Sequence, residues 1–241
     1  MSHVFSDMLS SNILVHRPSN TIPVNLVVDQ VSMAEPTIPA CLDTRPWTTT
    51  SGRCGSMRIT VIGRGHVGGG LAKRWTKAGH EVTAVGRDGG DATGSEVVVV
   101  AVPGNAVVQG LAAVSGLGGQ VTIDATNSFG DRPEGFDSVA LQVKSIVGGP
   151  TAKAFNTNFA SIYDAIDAEP VPPGTLFAAE DEARAVTERL IRDAGFDPIH
   201  LGDLTKAPLL ESLIALTSTL DRGDLGPFFY RFNRPGEFTT S

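Results

Sequence analysis

A cluster of closely spaced glycines gives the clearest chemical signal in this chain of 241 residues. Directly after the β-branched run at 59–62, the pattern G-x-G-x-x-G occupies Gly63, Arg64, Gly65, His66, Val67 and Gly68. The first glycine of such a pattern permits a tight turn, the second lets the backbone approach a pyrophosphate, and the third allows a helix to pack closely on a strand. The N-terminus of that helix offers free N–H groups to phosphates. The sequence therefore predicts a dinucleotide site at this loop.

The residues that end the second predicted strand indicate which dinucleotide is bound. A NAD-binding protein normally carries an Asp or Glu there, roughly twenty residues beyond the glycines, which holds the ribose 2′-hydroxyl. Here Gly86 has no side chain, and Arg87 offers a planar cation suited to an adenosine 2′-phosphate. Arg64 can add a second cation. We therefore expect NADP(H) as the cofactor. The alternatives are a ribose contact from Asp88 and a purely solvated role for Arg87.

Catalysis by a nucleophile or a general acid is not indicated, since the sequence suggests no Ser-His-Asp or Cys-His set, and we nominate no catalytic residue. Hydride transfer between a nicotinamide and a flat acceptor depends mainly on positioning and on exclusion of water. The candidate acceptor-binding residues are Asn127, Asn156 and Thr157, which follow predicted strands and can hydrogen-bond the edge of a heterocycle. These residue types are equally typical of turns and caps.

Short β-branched runs alternate with helical segments from Met57 onward, which is typical of βαβ units on a parallel sheet. Strands are predicted at 58–62, 81–85, 97–102, 120–124 and 153–156, with two further short strands at 175–178 and 198–200. Helices are predicted at 66–78, 105–114, 138–147, 181–194 and 204–221. The run at 97–102 is apolar on both faces, as a central strand must be. The predicted fold class is α/β, a Rossmann-type, doubly wound, mostly parallel sheet with a small C-terminal α/β portion.

Composition limits the classes of partner. Residues 1–56 contain scattered Pro, Ser and Thr, so we expect a disordered N-terminal extension there and an NADP-binding domain over 57–241. We expect a cytoplasmic protein with no membrane span and no secretory signal. We also expect no metal site, since both cysteines precede the domain and leave it without cysteine ligands. The formal charge of −7 disfavours nucleic acid and favours a small-molecule substrate. A homodimer is expected, with the aromatic tail at 228–232 packed across its interface.

Further blocks of the sequence occur in order from Met57 to the C-terminus. They are Ala101-Val102-Pro103, Ile123 to Asn127, Lys153 to Thr157, Ala179 to Ala183, Ala194 to Pro198, Leu209 to Leu213, and Arg231-Phe232-Asn233. Together with the glycine loop, these blocks resemble the NADPH-dependent reductases of coenzyme F420, an 8-hydroxy-5-deazaflavin. The resemblance implies an oxidoreductase that passes hydride between NADP(H) and F420. It also implies cofactor contacts at Arg64, Gly65, His66, Val67, Gly86, Arg87, Val102, Pro103 and Ala154.

The chain departs from that family at two places. Only nine residues separate Arg87 from Val97, where the family usually has a helix and a further strand, so little more than a loop fits beside the adenosine. Gly104 and Asn105 follow Pro103 where an aromatic residue is common, which affects the acceptor side. Two other functions therefore stay open. One is an NADP-binding regulatory protein without turnover, and the other is a small imine or carbonyl reductase, although the chain lacks the long helical substrate domain of those relatives.

Overall fold

The computed structural model describes residues 55–130 and 132–235, so the predicted extension at 1–56 lies almost wholly outside the described residues. The strands are β1 (Arg58–Ile62), β2 (Glu81–Val85), β3 (Gly90–Asp91), β4 (Val97–Val100), β5 (Val114–Ser115), β6 (Val121–Asp124), β7 (Thr151–Ala154), β8 (Gly174–Ala179) and β9 (Asp197–His200). The α-helices are α1 (His66–Lys77), α2 (Val107–Ala112), α3 (Val139–Val147), α4 (Asp181–Asp193) and α5 (Ala207–Arg222). Shorter 3-10 helices span Gly104–Ala106, Ala160–Ala168 and Leu204–Lys206.

Seven of these strands form one sheet in the order β2-β1-β4-β6-β7-β8-β9. Neighbouring strands are parallel except for β7 and β8, which are antiparallel. The chain leaves β1 toward β2 and later returns to the other side of β1 through β4, so the strand order reverses between β1 and β4. Ligands of doubly wound sheets bind at such a switch point. The predicted Rossmann-type fold is confirmed.

Both faces of the sheet are covered by helices. On β4, Val97 and Val99 belong to a buried cluster that includes Trp75 of α1. Val98 and Val100 belong to a second buried cluster, which includes residues of α2 and α3. These four valines are at most 1% exposed. The prediction of a central strand, apolar on both faces, is therefore confirmed.

Three local features differ from the sequence-based predictions. The strand predicted at 153–156 is observed at Thr151–Ala154, two residues earlier. It ends there because Phe155 has left-handed backbone (φ +64°). The helix predicted at 105–114 is divided between a 3-10 turn and α2, and Val114 enters β5, which pairs with β3 in a small parallel sheet. The 3-10 helix Ala160–Ala168 lies where the sequence predicts no element. These differences change the ends of the loops that line the candidate site.

Candidate functional site

The glycine loop between β1 and α1 has two positions at which the protein itself requires glycine. Gly63 has φ +113°, and a Cβ there would collide with the carbonyl oxygen of Ala101. A Cβ at Gly68 would collide with the carbonyl oxygen of Gly63. Since Ala101 directly follows β4, these two glycines let α1, β1 and β4 approach one another. The tight turn and the close helix–strand contact that the motif predicts are both present.

Gly65 is different, because protein packing does not account for a glycine at this position. It has φ −75° and extended backbone, and apart from its chain neighbours no atom of the described residues lies within 4 Å of the place its Cβ would take. Gly65 is also the N-cap of α1, where no side chain accepts from the first-turn N–H groups and that turn carries no acidic residue. Free N–H groups at a helix N-terminus bind phosphates. Open space beside such groups fits a pyrophosphate.

Two arginines flank this loop. After β2 the chain turns sharply between Gly86 and Gly89, and Arg87 lies exposed in that turn; the Gly89 N–H donates to the Gly86 carbonyl oxygen at 3.1 Å. A Cβ at Gly86 would collide with the guanidinium of Arg64, so the Arg64 side chain lies across Gly86. Within the described part of the chain, neither arginine forms a salt bridge. Two such guanidiniums suit a phosphate monoester.

A cleft of about 510 Å³, here called the first cleft, lies at the carboxyl ends of β1 and β4, where the strand order reverses. The predicted cofactor residues that line it are Gly63, Arg64, Gly65, Gly86, Arg87, Val102 and Pro103. Asp88, the alternative ribose partner, is not among its lining residues. Sequence reasoning missed the helical wall of the cleft, which consists of Ala106, Gln109, Gly110 and Ala113. Those residues carry no motif, and only their position after the switch point could have indicated them.

The remaining predicted cofactor residues lie elsewhere. His66 is exposed and lines a neighbouring cavity that shares Arg64 with the first cleft. Val67 is half-buried and packs against the core, so it can contact a phosphate only through its backbone. Ala154 lines neither the first cleft nor this cavity, and its place beside the nicotinamide stays a prediction. Ala154 is 0% exposed, because it sits in the core opposite Phe177 of β8.

Asn127, Asn156 and Thr157, the predicted acceptor residues, meet in a second cleft of about 380 Å³. Asn127 Nδ2 donates to the Asn156 carbonyl oxygen at 2.6 Å, and Asn156 Nδ2 donates to Asn127 Oδ1 at 3.1 Å. Asn156 Oδ1 is buried and has no hydrogen-bond partner among the described residues. The opposite wall, which sequence reasoning did not identify, comes from α5 and consists of Ile214, Thr217, Ser218, Asp221 and Arg222. The two asparagines therefore join the loops after β6 and β7 rather than only capping turns.

A buried ion network joins the elements that carry the second cleft. Lys153 Nζ lies 2.7 Å from Asp124 Oδ2 and 3.0 Å from Glu211 Oε1, and it donates to the Thr126 carbonyl oxygen at 2.8 Å. The side chains of Lys153 and Asp124 are fully buried, and that of Glu211 is 10% exposed. Glu211 also accepts from the first two N–H groups of α3, at 3.1 and 3.3 Å. The network thus connects β6, β7, α3 and α5.

The C-terminal aromatic residues pack mainly against their own chain. The Tyr230 hydroxyl lies 2.5 Å from Thr157 Oγ1 and accepts from a backbone N–H of β8 at 3.1 Å. Burial raises the pKa of Tyr230. Phe228 packs on Phe159 with ring centroids 5.2 Å apart, whereas Phe232 is 65% exposed. Phe228 and Tyr230 of the tail thus contact their own chain, and the predicted place of the tail at a dimer interface stays a prediction.

Solved structures share the fold over most of the chain. A candidate F420-dependent NADP reductase from Arthrobacter sp. FB24 matches with a TM-score of 0.63 and 25% identity, over 74% of this chain and 100% of that one. The chain resembles the F420-dependent NADP reductases. The resemblance that the sequence blocks predict is confirmed by this match. A hypothetical protein from Sinorhizobium meliloti matches with a TM-score of 0.52 and 27% identity, over 64% of this chain and 89% of that one.

A reductive aminase from Aspergillus terreus, solved with NADPH and ethyl levulinate, matches with a TM-score of 0.53 and 20% identity, over 70% of this chain and 64% of that one. At that identity the likeness concerns the fold alone. No protein-family model and no curated protein matches the chain. The structural matches thus show that the chain has the fold of NADP(H)-dependent reductases.

In the described part of the chain, no helix combines the length and the apolar character that crossing a membrane requires.

Proposed function

We propose that this chain is an NADPH-dependent oxidoreductase that transfers hydride between NADP(H) and a flat acceptor, with coenzyme F420 as the first acceptor to test. The observation that carries the proposal is the first cleft. It combines an open glycine position, a helix N-terminus without a side-chain cap and two arginines that form no salt bridge with the described residues. The similarity to the Arthrobacter protein supports the class of acceptor.

The residues of the first cleft fit NADP(H) part by part. The N–H groups from Gly65 onward would hold the pyrophosphate, since α1 leaves them without a side-chain cap. Arg87 and Arg64 would hold the 2′-phosphate, because both line the first cleft and neither has a carboxylate partner among the described residues. Val102 and Pro103, after β4, would line the nicotinamide end. The bound nicotinamide supplies or accepts the hydride, and the protein orients it and excludes water.

We assign the acceptor to the second cleft. The Gly104 N–H, next to Pro103 of the first cleft, donates to the Asn127 carbonyl oxygen at 3.2 Å, so the loops that line the two clefts are in contact. The two asparagine amides already hold each other in place, so the polar groups that would meet a heterocycle edge are fixed before it binds. Thr157 is fixed in the same way by Tyr230.

Nucleotide preference tests the first half of this proposal. NADPH should bind at least about tenfold more tightly than NADH, and Arg87→Ser should remove most of that preference, at a cost of roughly 1.5–3 kcal/mol for the loss of a charge-assisted hydrogen bond. Arg192→Ser is the matched control, since Arg192 is an exposed arginine of α4 that pairs with Glu188. Titration calorimetry measures all three proteins. Equal affinities for NADPH and NADH in the wild type would refute the assignment of Arg87.

Turnover tests the second half. NADPH oxidation should be followed at 340 nm, the wavelength at which reduced nicotinamide absorbs, in the presence of an F420-type deazaflavin, a flavin, a ferric chelate or a cyclic imine. We expect the deazaflavin to give the highest kcat/KM. Turnover only with the imine would favour a small imine or carbonyl reductase. NADPH binding without turnover on any of the four would instead support a regulatory protein.

A further inference from the structure

A third cleft, of about 370 Å³, lies beside the second cleft along α5. The two clefts share the lining residues Phe129, Ile214, Ser218 and Arg222. Ile214, Ser218 and Arg222 are spaced four positions apart, so they form one ridge on α5. Phe129, in the loop after β6, is 81% exposed. The two clefts therefore form one continuous groove, and a ligand in the second cleft can extend into the third.

The third cleft carries positive charge. Among the described residues, the charged side chains that line it are Arg132, Arg222 and Glu211. The Glu211 carboxylate is already engaged, since it lies 3.0 Å from Lys153 Nζ and accepts from the first two N–H groups of α3. Arg132 and Arg222 are exposed, and neither forms a salt bridge within the described residues. Two such guanidiniums suit a phosphate or a carboxylate.

Arg222 is held in place by its own helix. Its Nε donates to the Ser218 carbonyl oxygen at 3.1 Å, so the side chain is partly ordered before a ligand binds and loses less entropy on binding. Asp221, the preceding residue, lines the second cleft and is not among the lining residues of the third. Charge therefore changes along the groove, from a carboxylate beside the two asparagines to two arginines at the other end.

We propose that the acceptor carries an anionic side chain, which Arg132 and Arg222 bind in the third cleft while the flat ring lies in the second. This inference rests on the proposed function, because it takes the second cleft as the acceptor site. The anion is a phosphate or a carboxylate, joined to the ring by a flexible chain. It gains charge-assisted hydrogen bonds that a neutral acceptor cannot make. The two arginines thus determine specificity, and they favour an anionic deazaflavin or flavin over a neutral cyclic imine.

Two pairs of compounds with identical rings test the inference: 5-deazariboflavin and its 5′-phosphate, and riboflavin and its 5′-phosphate. Their equilibrium binding to the full chain, measured by ring fluorescence, does not require turnover. The phosphate should lower the dissociation constant at least about tenfold in each pair, and added salt should reduce this advantage. Arg132→Gln and Arg222→Gln should each remove most of the advantage. NADPH affinity should not change in either variant, since neither arginine lines the first cleft.

Arg222→Lys separates charge from structure, because lysine keeps the charge and should retain part of the phosphate advantage that glutamine loses. Arg184→Gln, at an exposed arginine of α4 that pairs with Glu188, is the control and should bind all four compounds like the wild type. Circular dichroism should show native folding for every variant, since the substituted side chains are exposed.

The outcomes distinguish this inference from the function on which it rests. Equal dissociation constants within each pair would overturn the inference alone, and NADPH-dependent reduction of either ring would then still support the proposed function. A phosphate advantage that survives both glutamine substitutions would overturn the assignment to Arg132 and Arg222. Failure of all four compounds to bind would overturn the inference together with the assignment of a flat acceptor to the second cleft.

Discussion

Gly65→Ala separates what the glycine loop does for folding from what it does for a ligand. The backbone of Gly65 (φ −75°) suits alanine, and a Cβ there would meet no atom of the described residues within 4 Å other than those of its chain neighbours. The methyl group would instead occupy the space in front of the α1 N-terminus. If that space holds a pyrophosphate, the substitution removes room that the ligand needs and leaves the protein's own packing intact.

The expected magnitudes follow from these two facts. Alanine is a poorer N-cap than glycine by a few tenths to about 1 kcal/mol, but it lowers the entropy of the unfolded chain by a similar amount, so the free energy of unfolding should change by less than about 0.5 kcal/mol. NADPH affinity should fall at least about tenfold, or about 1.4 kcal/mol. The variant should therefore fold like the wild type and bind poorly.

Urea unfolding and NADPH titration of the same preparations measure both quantities. Gly63→Ala and Gly68→Ala are matched controls from the same motif, and both should lose stability. Gly63 has φ +113°, and at both positions a Cβ would collide with a backbone carbonyl oxygen. Unchanged NADPH affinity in Gly65→Ala would refute the assignment of the pyrophosphate to this loop. A large loss of stability would show that packing does require this glycine.

Two further predictions concern buried residues next to the clefts. Lys153→Met should lower the free energy of unfolding, measured in urea, by roughly 3–5 kcal/mol, because it leaves Asp124 and Glu211 without their cation. As the control, Arg184→Met removes an exposed i,i+4 ion pair and should lower the free energy of unfolding by no more than about 0.5 kcal/mol. Equal losses for the two variants would contradict the role of burial. Ala154→Leu should destabilise the chain by about 1–3 kcal/mol through overpacking, since Ala154 has no exposed surface. A variant with wild-type stability and lost turnover would instead support the nicotinamide contact of Ala154 that the family resemblance implies.

The parts of the site that sequence could predict are those set by local geometry. Gly68 is required by a contact within one strand–turn–helix unit, and Gly63 has the left-handed φ of +113° that the tight turn needs, so the glycine motif identifies both positions. Asn127 and Asn156 follow neighbouring strands of the sheet, and the carboxyl ends of β6 and β7 lie side by side. Their meeting in one cleft follows from this adjacency of two parallel strands.

The parts that sequence could not predict depend on single backbone angles and on distant contacts. The sequence misplaces the end of β7 because nothing in the residue type of Phe155 indicates a φ of +64°. The walls from α2 and α5 carry no motif, since Gln109 and Thr217 are ordinary helix residues that reach the clefts only through packing. A lysine in a strand would ordinarily be assigned to an exposed edge, whereas Lys153 is buried between its partners.

The buried ion network also constrains the order in which the chain can be completed during synthesis. Lys153 finds Asp124 29 positions earlier, but Glu211 reaches the start of α3 across 72 positions. Until α5 has left the ribosome, the lysine lacks its second carboxylate and the first N–H groups of α3 lack their acceptor. The nascent sheet is thus electrostatically incomplete from the synthesis of Lys153 until Glu211 emerges, and over that interval it is exposed to chaperones and to other chains.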